Sequence, residues 1–223
     1  MALAELTAVI FDLDGVLLDS ETAWVEVKRE FTEESGGHWQ DRAELDMLGM
    51  SSSEWSRYLH DELGVPVPPE RISSEVADRL AQRYRERLPL LPGAVEAVRS
   101  LARDWPLALA TSSNRNVIDL ALEESGLSDA FAATVSSEEV ERGKPAPDVY
   151  LEAARRLNVD PRTCVAIEDS ANGIRSAHGA EMAVIAIPNK DFPPEPDALA
   201  LAALVLDSLE ELTPERVRSL VTA

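Results

Sequence analysis

The chain has a single cysteine, Cys164, among 223 residues. No internal disulfide can form, and a lone thiol inside an apolar run reads as core filler. Basic residues are scarce: 21 Lys and Arg stand against 41 Asp and Glu, a formal net charge of −20. A field of that sign disfavours nucleic acid and anionic membrane surfaces as partners. A phosphorylated ligand would also be repelled, so cations must be supplied locally wherever one binds. Long apolar runs are missing too. The longest small-apolar stretch, Ala198 to Leu206, is far short of the ~18 residues needed to cross a bilayer. Met1 to Thr7 has no basic region followed by a signal-length apolar stretch. The expectation is a cytoplasmic monomer that binds neither nucleic acid nor membrane.

What is present is a rhythm of buried strands and amphipathic helices. Hydrophobic residues make up 45% of the chain, enough for a sizeable core. The run Ala8 to Phe11 suits a strand buried on both faces of a parallel sheet. Asp12, Asp14 and a turn glycine, Gly15, follow at once. From Ser20, a candidate N-cap, to Leu88 the pattern is helical throughout. Trp24, Val27 and Phe31 recur at helical spacing up to Gly36-Gly37, and Ala43 to Leu48 suggests a short helix. Ser51 and Glu54 form a capping box ahead of Trp55, Leu59 and Leu63. A long charged helix, Glu70 to Leu88, carries Ile72, Val76, Leu80 and Tyr84. About seventy residues of helix are too many for a crossover connection and read as an inserted unit.

From Pro92-Gly93 onward strand and helix alternate, which predicts a doubly wound parallel sheet. Strands are expected at Leu107–Ala110, Ala132–Val135, Val165–Ile167, Met182–Ile187 and Leu204–Leu206. Helices are expected at Ala94–Ala102, Asn116–Ser125, Asp148–Leu157 and Ala171–His178, with a last one capped by Thr213-Pro214. Asp191 to Pro196 reads as a proline-rich loop. The fold class is therefore α/β, with core residues 1–18 and 90–223 and a helical cap at 19–89.

Polar residues gather after the strands and not within them. Asp12 and Asp14 follow the first, Thr111-Ser112-Ser113 the second, Gly143-Lys144-Pro145 the third, and Glu168-Asp169-Ser170 the fourth. Each alone has a structural explanation as a capping residue or a solvated loop. In a parallel sheet, however, these ends share one edge, where ligands bind. Four carboxylates in one cleft cannot all stay ionised without cations. Mg2+ suits a few carboxylates plus waters and a substrate phosphate, Lys144 adds a second positive charge, and Thr111 offers a hydroxyl to a phosphate oxygen. The cluster suits a phosphoryl group beside a divalent cation.

These four segments, in this order, resemble the four motifs of the haloacid dehalogenase superfamily of phosphohydrolases. Asp19-Ser20-Glu21 and the helical insert resemble its β-phosphoglucomutase-like, or CbbY-like, branch. The resemblance implies a Mg2+-dependent phosphatase for a small phosphorylated metabolite, such as a sugar phosphate, working through an aspartyl phosphate. Asp12 would be the nucleophile and Asp14 the general acid and base. Asp12, the Asp14 carbonyl, Asp169 and Glu168 (directly or through water) would hold the metal. Thr111 and the Ser112 N–H would bind the phosphate, which Lys144 would shield. In the cap, Glu21, Trp24 and Gly49 would set the substrate.

The departures from the pattern bear on the reaction. Where the mutase resembled here carries a catalytic histidine, this chain has Trp24. His38, His60 and His178 are its three histidines, and none stands at that position. Where the mutase has an arginine for a second phosphate, Ser52 stands. A phosphosugar mutase is thus the alternative, and these two positions argue against it. A metal-free dehalogenase is opposed by Asp14 and the Glu168-Asp169 pair, and a signalling receiver by the order of the acids. Members also tend to carry Ala-Gly-Met after the fourth-motif helix, where this chain has Gly179-Ala180-Glu181-Met182.

Overall fold

The four residues of β1 (Ala8–Phe11) have no solvent contact, as an apolar run between two layers of helix requires. The structure, a computed structural model, describes residues 5–47, 50–190 and 192–221. Around β1 lie β2 (Leu107–Thr111), β3 (Phe131–Ser136), β4 (Cys164–Glu168), β5 (Ala183–Ala186) and β6 (Leu204–Val205). They form one parallel sheet in the order β3-β2-β1-β4-β5-β6. The strand order reverses at β1. The carboxyl ends of β1, β2 and β4 therefore flank the crevice where such sheets bind ligands.

The two faces of the sheet differ in side-chain size. Val9, Phe11, Leu107, Leu109, Val165 and Ile167 point to one side, and Ala8, Ile10, Ala108, Ala110, Cys164 and Ala166 to the other. The small face admits α7 (Asp148–Leu157) and α8 (Ala171–Gly179) through Val149, Tyr150 and Ile174. Cys164 is buried there, as expected of core filler. The large face meets α5 (Ala94–Leu101) and α6 (Arg115–Glu124). Short helices α9 (Pro196–Leu199) and α10 (Pro214–Arg218) complete the chain. The turn of helix at α9 begins at Pro196, the last residue of the proline-rich segment, of which Asp191 lies outside the described residues.

Between β1 and α5 run α1 (Glu21–Glu34), α2 (Ala43–Asp46), α3 (Ser52–Asp61) and α4 (Pro69–Glu86). The capping box of Ser51 and Glu54 starts α3, with the Ser51 N–H donating to Glu54 Oε2 at 2.8 Å. Ser20 stands at the N-cap of α1 but makes no side-chain capping bond. Its hydroxyl is used elsewhere. The outgoing and returning chains run side by side: the Asp19 N–H donates to Pro89 O and the Leu91 N–H to Leu17 O, at 2.8 and 2.9 Å. Apolar packing passes without a break from the sheet through Leu13, Val16, Leu17 and Leu18 to Phe31, Trp55, Leu80 and Tyr84.

Candidate active site

Asp12 is the first residue beyond β1, and its N–H donates to Ile167 O on β4 at 3.0 Å. That bond holds the nascent loop against the neighbouring strand. Gly15 then takes φ +76°, and a Cβ there would run into the Asp169 carboxylate. Glycine is needed twice over, for the turn and for the close approach. Four strand ends thereby converge. Asp12, Glu168 and Asp169, all buried, each offer a carboxylate oxygen within 4.8 Å of the others. Lys144 Nζ lies 3.0 Å from Asp12 Oδ1 and 2.6 Å from Glu168 Oε1.

Glu168 is the best-anchored of the three acids. Oε1 also accepts from the Tyr150 hydroxyl at 2.7 Å, and Oε2 from the Asp169 N–H at 3.1 Å and the Ser170 hydroxyl at 3.3 Å. A Cβ on Gly173 would overlap this carboxylate, so glycine at the start of α8 makes room for it. Asp12 is less well supplied. Its Oδ1 is buried and, beyond the ion pair with Lys144, receives no aligned hydrogen bond.

Burial pushes the Asp12 carboxyl up to about 7, with the Lys144 cation opposing. Burial, then the neighbouring Glu168 and Asp12 charges, holds Asp169 well above the usual carboxylate range. Burial alone would lower Lys144, but Asp12 and Glu168 outweigh it and raise it above its ordinary value. One lysine among three acids leaves an excess of negative charge. A divalent cation fits that excess and the under-coordinated Asp12 oxygen.

Asp14 points to a separate ring of donors. Oδ1 accepts from the Ser20 hydroxyl at 2.6 Å and the Trp24 indole N–H at 3.1 Å. Oδ2 accepts from the Ser113 hydroxyl in a short bond and, at the 3.5 Å limit, from Thr111. A cavity of about 200 Å³ opens above these groups. Asp12, Asp14, Thr111, Ser112, Lys144 and Asp169 line its floor, and Glu21, Trp24, Lys28, Met50 and Trp55 its roof. The sequence-based site residues thus come together. Glu168 lies behind the floor, and Gly49 lies outside the described residues.

A model of the haloacid dehalogenase-like hydrolases matches residues 6–181. The chain belongs to that family. Hexitol phosphatase B of Escherichia coli is 36% identical to it, over 94% of this chain and 95% of that protein. The crystal structure of CbbY from Rhodobacter sphaeroides in complex with phosphate superimposes with a TM-score of 0.83 at 29% identity, covering 93% and 96% of the two chains. A β-phosphoglucomutase from Clostridium difficile, 24% identical over 96% of each chain, shares the fold with a TM-score of 0.82. This haloacid dehalogenase-like hydrolase is a phosphatase.

Four residues of the hydrolase's site were not singled out in the sequence as binding groups. Ser20 was read as a cap and Ser113 as one of a run of three hydroxyls. Lys28 carries no expectation from the sequence. The fourth, Asn114, ties roof to floor: it accepts from the Ser52 hydroxyl and donates to Ser73, both at 2.9 Å. A signal existed for Lys28, which stands one turn after Trp24 on the buried face of α1.

Proposed function

We propose that this phosphatase hydrolyses the monoester of a small phosphorylated sugar or polyol, through a phosphoryl group carried on Asp12 and with Mg2+ as its metal. The observation that carries the reading is the division of labour between two acids two residues apart. Asp12 faces Lys144 and the acid cluster, and Asp14 faces hydroxyls and an indole under the roof of the cavity. One is set beside the Lys144 cation, as an anionic nucleophile approaching phosphate requires. The other is set toward the leaving group.

In the first step an Asp12 oxygen attacks phosphorus. The bond from phosphorus to the ester oxygen breaks, and that oxygen takes a proton from Asp14. In the second step Asp14 takes a proton from water, whose oxygen attacks phosphorus. The Asp12–phosphate bond breaks and inorganic phosphate leaves. Lys144, held by Glu168, offsets the charge between Asp12 and the phosphate, and Thr111 with the Ser112 N–H would hold phosphate oxygens. Asp12, the Asp14 carbonyl and Asp169 would hold Mg2+. Glu168, already committed to Lys144 and Tyr150, would act on it through water. When bound, the metal supplies positive charge against the phosphoryl oxygens.

Residues 19–89 would act as a cap domain, hinged where Leu17–Asp19 runs beside Pro89–Leu91. The name of hexitol phosphatase B supports a polyol or sugar phosphate as substrate. A mutase is not favoured. Ser52, in the place of the arginine for a second phosphate, spends its hydroxyl on Ser112 O and Asn114.

Asp12→Asn should keep its circular dichroism and thermal transition but lose turnover of a hexitol phosphate by several orders of magnitude. Acid quench of the wild type should trap a phosphoryl group on Asp12. Chelation should abolish activity and Mg2+ restore it. Appreciable turnover by a verified Asp12→Asn sample would overturn the proposed chemistry.

A further inference from the structure

Two charged side chains on the inner face of α1 take no part in the phosphoryl chemistry. Lys28 is only 7% exposed and lines the cavity. Its ammonium lies 5.3 Å from the Trp24 ring centre and 5.1 Å from that of Trp55. Among the described residues it has no ion pair or hydrogen bond, only these ring faces and the longer-range fields of Glu21 and Asp14. A buried ammonium with open donor positions is expensive, and an apolar residue would fill this place at less cost. The partner it lacks is an acceptor in the cavity.

Glu21 stands two turns earlier on the same helix, half-buried, and lines the same cavity. It feels the charges of Lys28 and Asp14 in turn. Lys28 lies over the ring of Trp24, whose indole N–H reaches Asp14, so the pair sits toward Asp14, where a leaving group would lie, and its net charge is zero. A hydroxyl can accept from Lys28 and donate to Glu21, whereas a second phosphate or a carboxylate would meet the Glu21 charge. Met47 and Met50 in the same wall offer apolar contact to a carbon chain.

We propose that Glu21 and Lys28 form a recognition pair for an uncharged, polyhydroxylated leaving group, admitting phosphomonoesters of polyols or sugars and rejecting substrates with a second anionic group. This rests on the phosphatase reading above and adds the class of tail and the residues that select it. It also separates the role of Lys28 from that of a staple between two tryptophans.

The decisive comparison uses glucitol 6-phosphate and 6-phosphogluconate, which differ in a terminal CH2OH against a carboxylate. p-Nitrophenyl phosphate serves as a reference without tail hydroxyls. In the wild type, kcat/KM should favour glucitol 6-phosphate over 6-phosphogluconate by about tenfold or more. Glu21→Gln should shrink that preference several-fold. Lys28→Met should lower the glucitol 6-phosphate to p-nitrophenyl phosphate ratio of kcat/KM by about tenfold, mostly through KM, with Lys28→Arg recovering part of it.

Equal handling of the two sugar-derived substrates by the wild type would overturn the proposal. So would a Lys28→Met enzyme in which glucitol 6-phosphate and p-nitrophenyl phosphate fall together. Should Lys28→Met not fold, the wild-type and Glu21→Gln comparison still decides. Phosphate release from none of the three esters would instead overturn the phosphatase chemistry itself.

Discussion

The Trp24 indole N–H donates to Asp14 Oδ1 across 3.1 Å, joining α1 to the loop after β1. An indole N–H cannot accept, so that oxygen serves Trp24 only as an acceptor. The other oxygen faces the hydroxyls of Ser113 and Thr111, which can turn to donate or accept. Trp24 therefore fixes how the carboxyl is turned, with Oδ1 shared between the indole and the Ser20 hydroxyl and Oδ2 set toward Ser113 and Thr111.

Trp24→Phe keeps a ring in the roof and removes the donor. Losing a hydrogen bond to a charged group costs about 1.5–3 kcal/mol, so kcat should fall by about tenfold or more and the thermal transition should drop by about 3 °C or more. Steady-state kinetics on a hexitol phosphate check this, and an unchanged kcat would show that Asp14 does not need the indole.

Lys28 makes stability depend on pH in a definite sense. Burial lowers its folded value to about 8, with Glu21 opposing, from an ordinary 10.5. Because the folded value lies below the unfolded one, the folded state sheds the proton first. The cost is full below pH 8 and fades as pH rises toward 10.5. Lys28→Met has no such cost. Its stability relative to the wild type should therefore be greatest near pH 7 and decline by pH 10. Thermal melts of both proteins across that range test the sign, and a constant difference would mean Lys28 is not buried as a cation.

Gly173→Ala should be costly despite the small change. The new Cβ must displace the Glu168 carboxylate, which cannot swing away because Lys144, Tyr150, Asp169 and Ser170 hold it. Disturbing a buried charged pair costs about 3–5 kcal/mol, and Lys144 would lose its anchor. A melting point lowered by about 6 °C or more and a large fall in turnover are expected. Melting and kinetics matching the wild type would mean that the Glu168 anchoring is dispensable.

Glu181 carries a backbone strain that glycine would relieve. It sits at φ +63° just after α8, a region that costs a residue with a side chain about 1–2 kcal/mol. Glu181→Gly should melt above the wild type and Glu181→Val below it, since a β-branched residue tolerates positive φ least. A valine variant as stable as the glycine variant would contradict this account.

The sheet and the floor of the site were legible because both are written locally. Ala8–Phe11 could be read as a doubly buried strand from four residues, and the acids after it as a strand end. Glu168-Asp169-Ser170 and Gly143-Lys144-Pro145 were legible for the same reason. The end of α8 was only half legible. The unusual Glu181 marked a departure, but its positive φ is a property of the backbone path and not of the residue. Ser20 does stand at the N-cap of α1, but its helical φ −101° and ψ −17° depart from the extended backbone a capping serine normally takes, and its hydroxyl caps nothing and donates to Asp14.

By itself, then, the order of strands, helices and strand-end acids determined the α/β class and the edge at which Asp12, Thr111, Lys144 and Glu168-Asp169 meet. Burial period and turn chemistry act over a few residues, and parallel connectivity carries them to one place. Only the tertiary structure decided what stands over that edge. Whether Trp24 packs in a helical core or reaches Asp14, and whether Lys28 faces solvent or the cavity, depends on how α1 is rotated and set against α3, α4 and the sheet. About 20–30° of that rotation moves a side-chain tip by a hydrogen-bond length. The angle is fixed by packing among residues far apart in the chain, such as Trp24 on Trp55 and Asn114 between Ser52 and Ser73.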